Sequence, residues 1–278
     1  MPPERSAPQS PVITSTRNRH IVEVRKLAQR KHRWRQRRFA VEGLQLLHMA
    51  LDAGHHPIEA LYCPELLVGP TAHALLDRLW EAERPTAPVS RAVMEALSDR
   101  DTPQGIVAVF DILEAPLSTA SIEARDLVVV VDRLQDPGNL GTIIRTADAV
   151  GAAAIVCIEP CVDPFDPKTV RSTMGSLFNV PIVREPDVET LFTTLHGRGL
   201  RSVGADVYRG TLWGEGVWPG GVALVLGNEA RGLSDDVRER IQAWSRLPMV
   251  GDAESLNVAV AGGVLMYAWL RENLATET

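Results

Sequence analysis

The amino-acid sequence predicts an α/β protein in which helices cover both faces of a mostly parallel β-sheet, with a smaller α/β domain before it. The first observation is a series of short, nearly continuous apolar runs in the C-terminal half, separated by helical patterns. Such strands are typical of parallel sheets that are covered on both sides. The second observation is length, because 278 residues with 45% hydrophobic content suffice for two domains with their own cores.

Changes in composition divide the chain into four predicted segments. Residues 1–14 form a proline-containing lead that we expect to be disordered, and it lacks the apolar segment of a secretory signal. Residues 15–112 form the small α/β domain, residues 113–125 a polar linker with one proline, and residues 126–278 the parallel-sheet domain. We expect a cytoplasmic protein that does not enter a membrane, because no apolar run reaches the ~18 residues that span a bilayer.

The cysteines exclude a disulfide framework and argue against a metal site. Cys63, Cys157 and Cys161 are too few and too scattered for the usual ligand patterns. Cys157 and Cys161 have a spacing that permits them to be ligands, but no second pair joins them. The sequence therefore predicts no metal ion.

The elements of the N-terminal domain follow from local patterns. Leu47 and Leu51 belong to an apolar helical stripe that ends at Gly54, and Phe39 and Val41 alternate as in a strand. In chain order we predict a basic helix at 17–38, a strand around 39–41, a helix at 44–54, a strand at 57–65, a helix at 72–83 and a strand at 104–112.

The basic helix predicts a nucleic-acid partner. Residues 17–38 hold ten Lys and Arg residues and one acid, Glu23, in a chain whose formal net charge is −6. Such a density suits binding to a phosphate backbone, although a solvated helix face is the alternative. Trp34 is expected either to stack on a base or to anchor the helix in the core. The predicted RNA-binding residues are Arg17, Arg19, Arg25, Lys26, Arg30, Lys31, Arg33, Arg35, Arg37 and Arg38.

The C-terminal domain alternates strands and helices regularly. Its residues from 113 onwards carry 14 basic against 22 acidic side chains, a net charge of −8. The predicted strands are 127–133, 153–158, 180–183, 201–207, 222–227 and 244–249, and the predicted last helix is about 255–273. In such sheets, ligands bind where strands end.

The first loop with functional residues is QDPGNLGTIIRTADAVGA, residues 135–152, which we interpret as a glycine loop followed by a helix. Gly138 and Gly141 do not have the spacing of the dinucleotide fingerprint, but Glu159 follows the next strand, so a nucleotide-binding Rossmann enzyme stays an alternative. Arg145 is expected one turn into the helix, off its apolar face. A surface ion pair with Asp148 is the alternative to a functional role for Arg145.

Two further loops follow buried strands near the C-terminus. In LVLGNEARGLSDD, residues 224–236, Gly227 at the strand end permits close approach of a ligand, and Glu229 is either functional or a helix-terminal carboxylate. In RLPMVGDAESLNVAVAGG, residues 246–263, Ser255 is the expected N-cap of the last helix and Asn257 lies in its first turn. The adjacent glycines of this helix predict very close packing.

Together these loops resemble the SpoU (TrmH-type) branch of the SPOUT RNA ribose methyltransferases. The segments DPGNLGTIIRTADAVGA, LVLGNEARGLS and LPMVGDAESLNVAVAGGVLMYAW are similar to its three motifs, in the same order and spacing. VRSTMGSLFNVPIV is similar to a further stretch of that family. The N-terminal RNRHIVEVRKLAQRKHRWRQRRFAVEG resembles the family's L30e-like substrate-binding domain.

The resemblance implies a C-terminal trefoil knot, S-adenosylmethionine as cofactor, and a homodimer formed through the knot helices, which would explain Gly262 and Gly263. By position, the implied cofactor-binding residues are Leu226, Gly227, Asn228, Leu247, Met249 and Leu256. The implied catalytic residues are Arg145, Asn139, Glu229, Ser255 and Asn257. The glycine loop is expected to form a wall of the RNA-facing site.

The activity implied by the resemblance is 2′-O-methylation of a ribose in RNA, with 23S ribosomal RNA favoured as substrate. Because arginine is not deprotonated in proteins, we expect Arg145 to stabilise developing negative charge and to hold a phosphate, while the proton leaves to an RNA phosphate or water. A tRNA methyltransferase, a non-catalytic RNA-binding factor and a nicotinamide-binding enzyme are the alternatives.

Overall fold

The computed structural model describes residues 11–274 and divides them into two compact units. The N-terminal unit extends to Ile112 and also includes Phe165–Pro167. The C-terminal unit comprises Leu113–Pro164 and the chain from Lys168 onwards.

The N-terminal unit is a small α/β structure with a four-stranded sheet. Its strands are β1 (Arg38–Glu42), β2 (Glu59–Tyr62), β3 (Thr86–Pro88) and β4 (Ile106–Asp111). Its helices are α1 (Arg19–Lys26), α2 (Arg30–Gln36), α3 (Leu44–Asp52), α4 (Pro70–Glu81) and α5 (Arg91–Leu97). The strand order is β1-β4-β2-β3, with β4 antiparallel to both neighbours and β3 parallel to β2.

The prediction of one basic helix at 17–38 is wrong, because the chain turns between α1 and α2. The buried guanidinium of Arg33 donates hydrogen bonds to the carbonyl oxygens of Leu27 and Ala28, both at 2.8 Å. These bonds satisfy backbone acceptors that follow the end of α1 and so stabilise the turn. Helix α2 ends at Gln36, because the next residue, Arg37, has a left-handed φ of 54°.

The predicted disordered lead is partly wrong. Residues 1–10 lie outside the described residues, but Ile13 forms a β-bridge with Val89. The Ile13 N–H donates to the Pro88 carbonyl at 2.9 Å, and the Ser90 N–H donates to Ile13 at 3.0 Å. Residue 13 therefore belongs to the fold of the N-terminal unit.

The C-terminal unit is a seven-stranded parallel sheet with helices, which confirms the predicted fold class. Its strands are β5 (Leu127–Asp132), β6 (Ala154–Ile158), β7 (Ile182–Glu185), β8 (Arg201–Ala205), β9 (Thr211–Leu212), β10 (Val222–Leu226) and β11 (Ala243–Arg246). Its helices are α6 (Pro137–Ala149), α7 (Pro167–Ser172), α8 (Val188–Gly197), α9 (Asp235–Arg238) and α10 (Val258–Leu274). The order is β7-β6-β5-β10-β8-β11-β9, and every pair is parallel. The trefoil knot stays a prediction.

This topology places β5 and β10 side by side in the middle of the sheet. All six residues of β5 and all five of β10 are buried. Since the strands are parallel, their carboxyl ends lie at one edge, and the loops after β5 and β10 meet there.

The segment predicted as a linker, residues 113–125, packs as part of the C-terminal unit. Leu117, Ala120 and Ile122 are buried in the same hydrophobic cluster as Leu195 and Leu200. The polar composition of this segment was misleading, because three apolar side chains spread through it suffice to dock it on the core.

No helix among residues 11–274 is long and apolar enough to cross a bilayer. The same residues contain no group of three or more His, Cys, Asp and Glu side chains that fits a metal ion. Cys157 and Cys161 are both buried and form no disulfide. A hydrogen bond with Cys161, together with burial, raises the pKa of the Cys157 thiol well above its usual range, which disfavours the thiolate that a metal needs.

Candidate active site

The first sequence motif forms a helix from its beginning, so the predicted glycine loop is wrong. Helix α6 starts at Pro137, and the Asp136 side chain caps it by accepting a hydrogen bond from the Asn139 N–H at 2.8 Å. Both Gly138 and Gly141 are helical. A Cβ on Gly141 would lie 2.3 Å from Ser172 Cβ, so this glycine permits close packing against α7 and does not form the wall of an RNA site. A Rossmann-type phosphate loop is therefore not formed here.

Three predicted catalytic side chains from three different sequence motifs form one hydrogen-bonded chain. Asn257 Nδ2 donates to Asn139 Oδ1 at 2.9 Å, and Asn139 Nδ2 donates to Glu229 Oε1 at 2.9 Å. The Asp136 N–H also donates to Glu229 Oε1, at 3.4 Å. The side chains of Glu229 and Asn257 are exposed, so this chain of bonds, here called the Asn-Glu-Asn network, is open to a large substrate.

Asn257, and not Ser255, is the N-cap of the last helix. Its Oδ1 accepts hydrogen bonds from the N–H groups of Ala259 and Val260, at 2.9 and 3.3 Å. Asn257 thus uses its oxygen to hold α10 and its amide nitrogen to hold Asn139, which fixes the side chain at both ends. Ser255 is exposed and precedes the helix by two residues.

The adjacent glycines of α10 have an explanation within the chain. A Cβ on Gly262 would lie 2.6 Å from Leu226 Cδ1, so a side chain there would clash with the end of β10. A Cβ on Gly263 would lie 3.6 Å from Thr146 Cγ2, an ordinary contact. The packing of α10 therefore requires glycine at 262 only, without recourse to a dimer.

A cavity of about 500 Å³ lies beside the Asn-Glu-Asn network, and all six predicted cofactor-binding residues line it. They are Leu226, Gly227, Asn228, Leu247, Met249 and Leu256. Glu229, Ser255 and Asn257 of the predicted catalytic set line it as well. Its charged lining residues are Asp206, Glu229 and Glu254, and no Lys, Arg or His of the described chain is among them. We call it the acidic cavity.

Sequence reasoning missed one wall of the acidic cavity, the segment Ala205–Tyr208. It follows β8, and Asp206 Oδ1 accepts hydrogen bonds from the N–H groups of Tyr208 and Arg209, at 2.8 and 2.9 Å. The Tyr208 side chain is 83% exposed at the rim. The available signal was its position, because ligands of parallel sheets bind at the carboxyl ends of strands.

Arg145 is exposed and lies outside the lining of the acidic cavity. It follows Pro137 by eight residues, more than two turns into α6, so the expected position one turn into the helix is wrong. The ion pair with Asp148 does not form, because Asp148 accepts a hydrogen bond from Asn179 Nδ2 at 3.0 Å. Within residues 11–274, the Arg145 guanidinium has no hydrogen bond or ion pair.

The predicted RNA-binding residues of the N-terminal unit separate into two groups. Arg33 is 1% exposed and pairs with Asp166 at 3.3 Å, so its predicted contact with RNA is corrected to a structural role. Lys26 pairs with Glu23 at 2.6 Å, and this hydrogen bond lowers the pKa of Glu23. The remaining eight are exposed: Arg17, Arg19, Arg25, Arg30, Lys31, Arg35, Arg37 and Arg38.

Trp34 anchors α2, as one of the two predicted roles requires. Its ring packs edge-on against Phe165 with a centroid distance of 6.0 Å, and the Arg37 guanidinium lies 5.3 Å from its centroid. The side chain is half-buried by these contacts.

The chain is similar to known rRNA methyltransferases in sequence and in structure. The model of the SpoU rRNA Methylase family matches residues 126–267, and the model of the MRM3-like substrate binding domain matches residues 18–108. The chain is 34% identical over 255 residues to the 23S rRNA (guanosine(2553)-2′-O)-methyltransferase RlmP of Bacillus subtilis (strain 168), covering 92% of this chain and 97% of that protein. It is 30% identical over 257 residues to a 23S rRNA (uridine(2479)-2′-O)-methyltransferase of Streptomyces viridochromogenes, covering 91% and 89%. The solved structure of an AdoMet-bound rRNA methyltransferase from Sinorhizobium meliloti matches with a TM-score of 0.85 and 33% identity, over 94% of this chain and 98% of that one.

Proposed function

Because the chain belongs to the SpoU rRNA methylase family, we propose that it methylates the 2′-hydroxyl of a ribose in 23S ribosomal RNA with S-adenosylmethionine. The observation that carries this function is the meeting of three sequence motifs in the Asn-Glu-Asn network beside the acidic cavity. The ribosomal substrate is supported by the relatives, since the RlmP protein and the Streptomyces enzyme are both named for 23S rRNA.

The acidic cavity fits S-adenosylmethionine in size and in charge. Small-molecule sites have volumes of about 300–1,000 Å³, and this cavity has about 500 Å³. Its three acids, without a base, suit a ligand whose sulfonium and ammonium outweigh one carboxylate. Leu226, Leu247 and Met249 offer apolar contacts for the adenosine. When bound, the cofactor supplies a methyl group attached to a sulfonium sulfur. The remaining sulfur compound is a neutral thioether.

The chain's own task is then to orient a ribose hydroxyl that is hardly ionised at neutral pH. The Asn-Glu-Asn network fixes Glu229 next to the cavity, where its carboxylate accepts a hydrogen bond from the reacting hydroxyl and aligns it. Arg145 stabilises the negative charge that develops on that oxygen and holds a neighbouring phosphate. Arginine does not act as a base in proteins, so the proton passes to the Glu229 carboxylate that the hydroxyl faces, and from there to an RNA phosphate or to water.

A homodimer through α10 is supported by an exposed apolar stripe. Val260, Tyr267 and Leu274 are each more than half exposed and recur every seven residues, so they lie on one face of the helix. A second copy of this chain that packs its own stripe there would cover these side chains.

The dimer also gives Arg145 a place to act. Arg145 does not line the acidic cavity of its own chain, and α6 packs beside α10 at Thr146 and Gly263. A partner on the α10 stripe therefore lies next to α6. In this arrangement Arg145 of one chain serves the acidic cavity of the other. The proposed enzyme is thus a homodimer that acts in the cytoplasm.

The test uses the purified full chain with methyl-labelled S-adenosylmethionine and in vitro transcribed 23S rRNA. We expect label in the RNA as an alkali-resistant dinucleotide, which marks 2′-O-methylation, and calorimetric binding of S-adenosylhomocysteine. Label in transfer RNA but not in 23S rRNA would assign the tRNA alternative. Binding of S-adenosylhomocysteine and RNA without transfer would assign a non-catalytic factor, and binding of NAD alone would overturn the function.

A further inference from the structure

A second cavity, of about 400 Å³, opens at the same edge of the C-terminal unit. It is lined by residues 133–135, by Asn228 and residues 231–234 of the loop after β10, and by Pro160, Cys161 and Val162. Residue 135 precedes Asp136 in the chain, and Asn228 precedes Glu229. The Asp136 N–H donates a hydrogen bond to Glu229 at 3.4 Å, so this cavity lies near the Asn-Glu-Asn network. We call it the arginine cavity, because Arg133 and Arg231 are its charged lining residues.

The charge of the arginine cavity is opposite to that of its surroundings. No Asp or Glu of the described chain is among its lining residues. Yet the chain from residue 113 onwards carries 22 acids against 14 basic residues. Two arginines at one cavity, of which only Arg133 also pairs with a carboxylate, that of Asp132, favour an anionic ligand, just as the acidic cavity suits a cation.

The two arginines are exposed, whereas the floor is apolar. Arg231 has no side-chain hydrogen bond or ion pair within residues 11–274, so its guanidinium is free to bind a ligand. Arg133 is 47% exposed, with Nε 3.3 Å from the buried Asp132 carboxylate. Leu134, Cys161 and Leu233 are buried and line the same cavity. A ligand that fits has a charged outer part and an apolar inner part.

Hydrogen bonds hold the loop with Arg231 in place before any ligand binds. Asn228 and Gly232 exchange backbone hydrogen bonds at 3.0 and 2.9 Å, and Asn228 Oδ1 accepts from the Arg231 N–H at 3.1 Å. Asn228 Nδ2 donates to the Arg133 carbonyl at 2.8 Å, which ties the loop to the end of β5. Asn228, Gly232 and Leu233 line both cavities and therefore separate them.

We infer that the arginine cavity binds one nucleotide of single-stranded RNA next to the methylated ribose. Arg231 and Arg133 bind its phosphate, and its base enters the apolar floor. Unstacked nucleotides of RNA loops offer this combination of a charged phosphate and a flat apolar base. The assignment rests on the proposed function, because the neighbouring ribose is the one that the Asn-Glu-Asn network orients.

The test is a charge series at Arg231, whose side chain makes no contact that the fold needs. We expect the KM for 23S rRNA to stay near the wild-type value in Arg231→Lys, to rise about tenfold in Arg231→Gln and to rise further in Arg231→Glu. The logarithmic salt dependence of RNA binding should fall by about one in Arg231→Gln, as for the loss of one phosphate contact. The affinity for S-adenosylhomocysteine should not change.

Arg201→Gln is the matched control, because Arg201 is exposed at the amino end of β8, at the opposite edge of the sheet. A wild-type KM and salt dependence across the whole Arg231 series would overturn the assignment while leaving the proposed function intact. Weaker binding of S-adenosylhomocysteine by Arg231→Gln would overturn it too, since Arg231 would then bind the cofactor carboxylate. Absence of methyl transfer by the wild-type chain would overturn the proposed function, and this assignment with it.

Discussion

Asn139 and Glu229 are ninety residues apart in the sequence and share a hydrogen bond of 2.9 Å, with the amide of Asn139 as donor. The bond joins the first turn of α6 to the loop after β10. The Oδ1 of Asn139 also accepts a hydrogen bond from Asn257, so both the nitrogen and the oxygen of its side-chain amide are hydrogen-bonded.

Asn139→Asp should lower kcat by two or more orders of magnitude, because it keeps the acceptor for Asn257 but replaces the donor to Glu229 with a like charge. The affinity for S-adenosylhomocysteine should change little, since Asn139 does not line the acidic cavity. The double variant Asn139→Asp with Glu229→Gln restores a hydrogen bond of reversed direction. If the double variant binds cofactor but is no more active than Glu229→Gln alone, the negative charge of Glu229 itself is required.

Arg145→Ala should lower the rate of methyl transfer at least a hundredfold. It should leave the melting temperature unchanged, since the guanidinium has no hydrogen bond or ion pair within residues 11–274. Calorimetry with S-adenosylhomocysteine checks that the cofactor site is intact. An active alanine variant would contradict the catalytic role.

Mixing subunits tests whether Arg145 acts across the dimer. Gly227→Ala should block cofactor binding, because its Cβ would lie 2.4 Å from the Gly232 backbone. An equal mixture of Arg145→Ala and Gly227→Ala chains, unfolded and refolded together, should recover roughly a quarter of wild-type activity, since half of the dimers are mixed and each has one complete site. No recovery from a mixture shown to be dimeric would place Arg145 at the site of its own chain.

Gly262→Ala and Gly263→Ala form a matched pair in α10. The first should destabilise the fold by about 1–3 kcal/mol, because its Cβ would lie 2.6 Å from Leu226 Cδ1. The second meets only an ordinary contact of 3.6 Å and should be neutral or stabilising by up to about 1 kcal/mol through helix propensity. Urea unfolding of both variants measures the difference, and equal losses would show that the packing of α10 on β10 is not the reason for glycine.

Arg33→Ala and Arg25→Ala should separate stability from RNA binding in the basic segment. Arg33 is buried against two carbonyls and Asp166, so its loss should cost about 3 kcal/mol of unfolding free energy. Arg25 is exposed, and its loss should leave stability unchanged while weakening RNA binding and its salt dependence. Thermal unfolding and filter binding report the two effects, and an Arg33 variant of normal stability would contradict its structural role.

The sequence predicted six of the seven strands of the C-terminal unit in order, because buried parallel strands leave regular apolar runs. It missed β9, whose two residues are both exposed and form no such run. It also identified Asn139, Glu229 and Asn257, through a resemblance of whole motifs and not through any local rule. Arg33 looked like its basic neighbours, since charge density does not reveal which guanidinium turns inward to backbone carbonyls. The wall at Asp206 was missed because only the sheet order brings the end of β8 next to β10.

The charge of the acidic cavity favours S-adenosylmethionine, which enters it, over S-adenosylhomocysteine, which must leave. Asp206, Glu229 and Glu254 would surround a ligand that carries one more positive charge before methyl transfer than after it. Negative charge around the site therefore stabilises the fresh cofactor more than the spent one. The negative charge that attracts S-adenosylmethionine therefore also favours release of the product. Because salt screens this charge, competition from S-adenosylhomocysteine should weaken as the salt concentration is lowered.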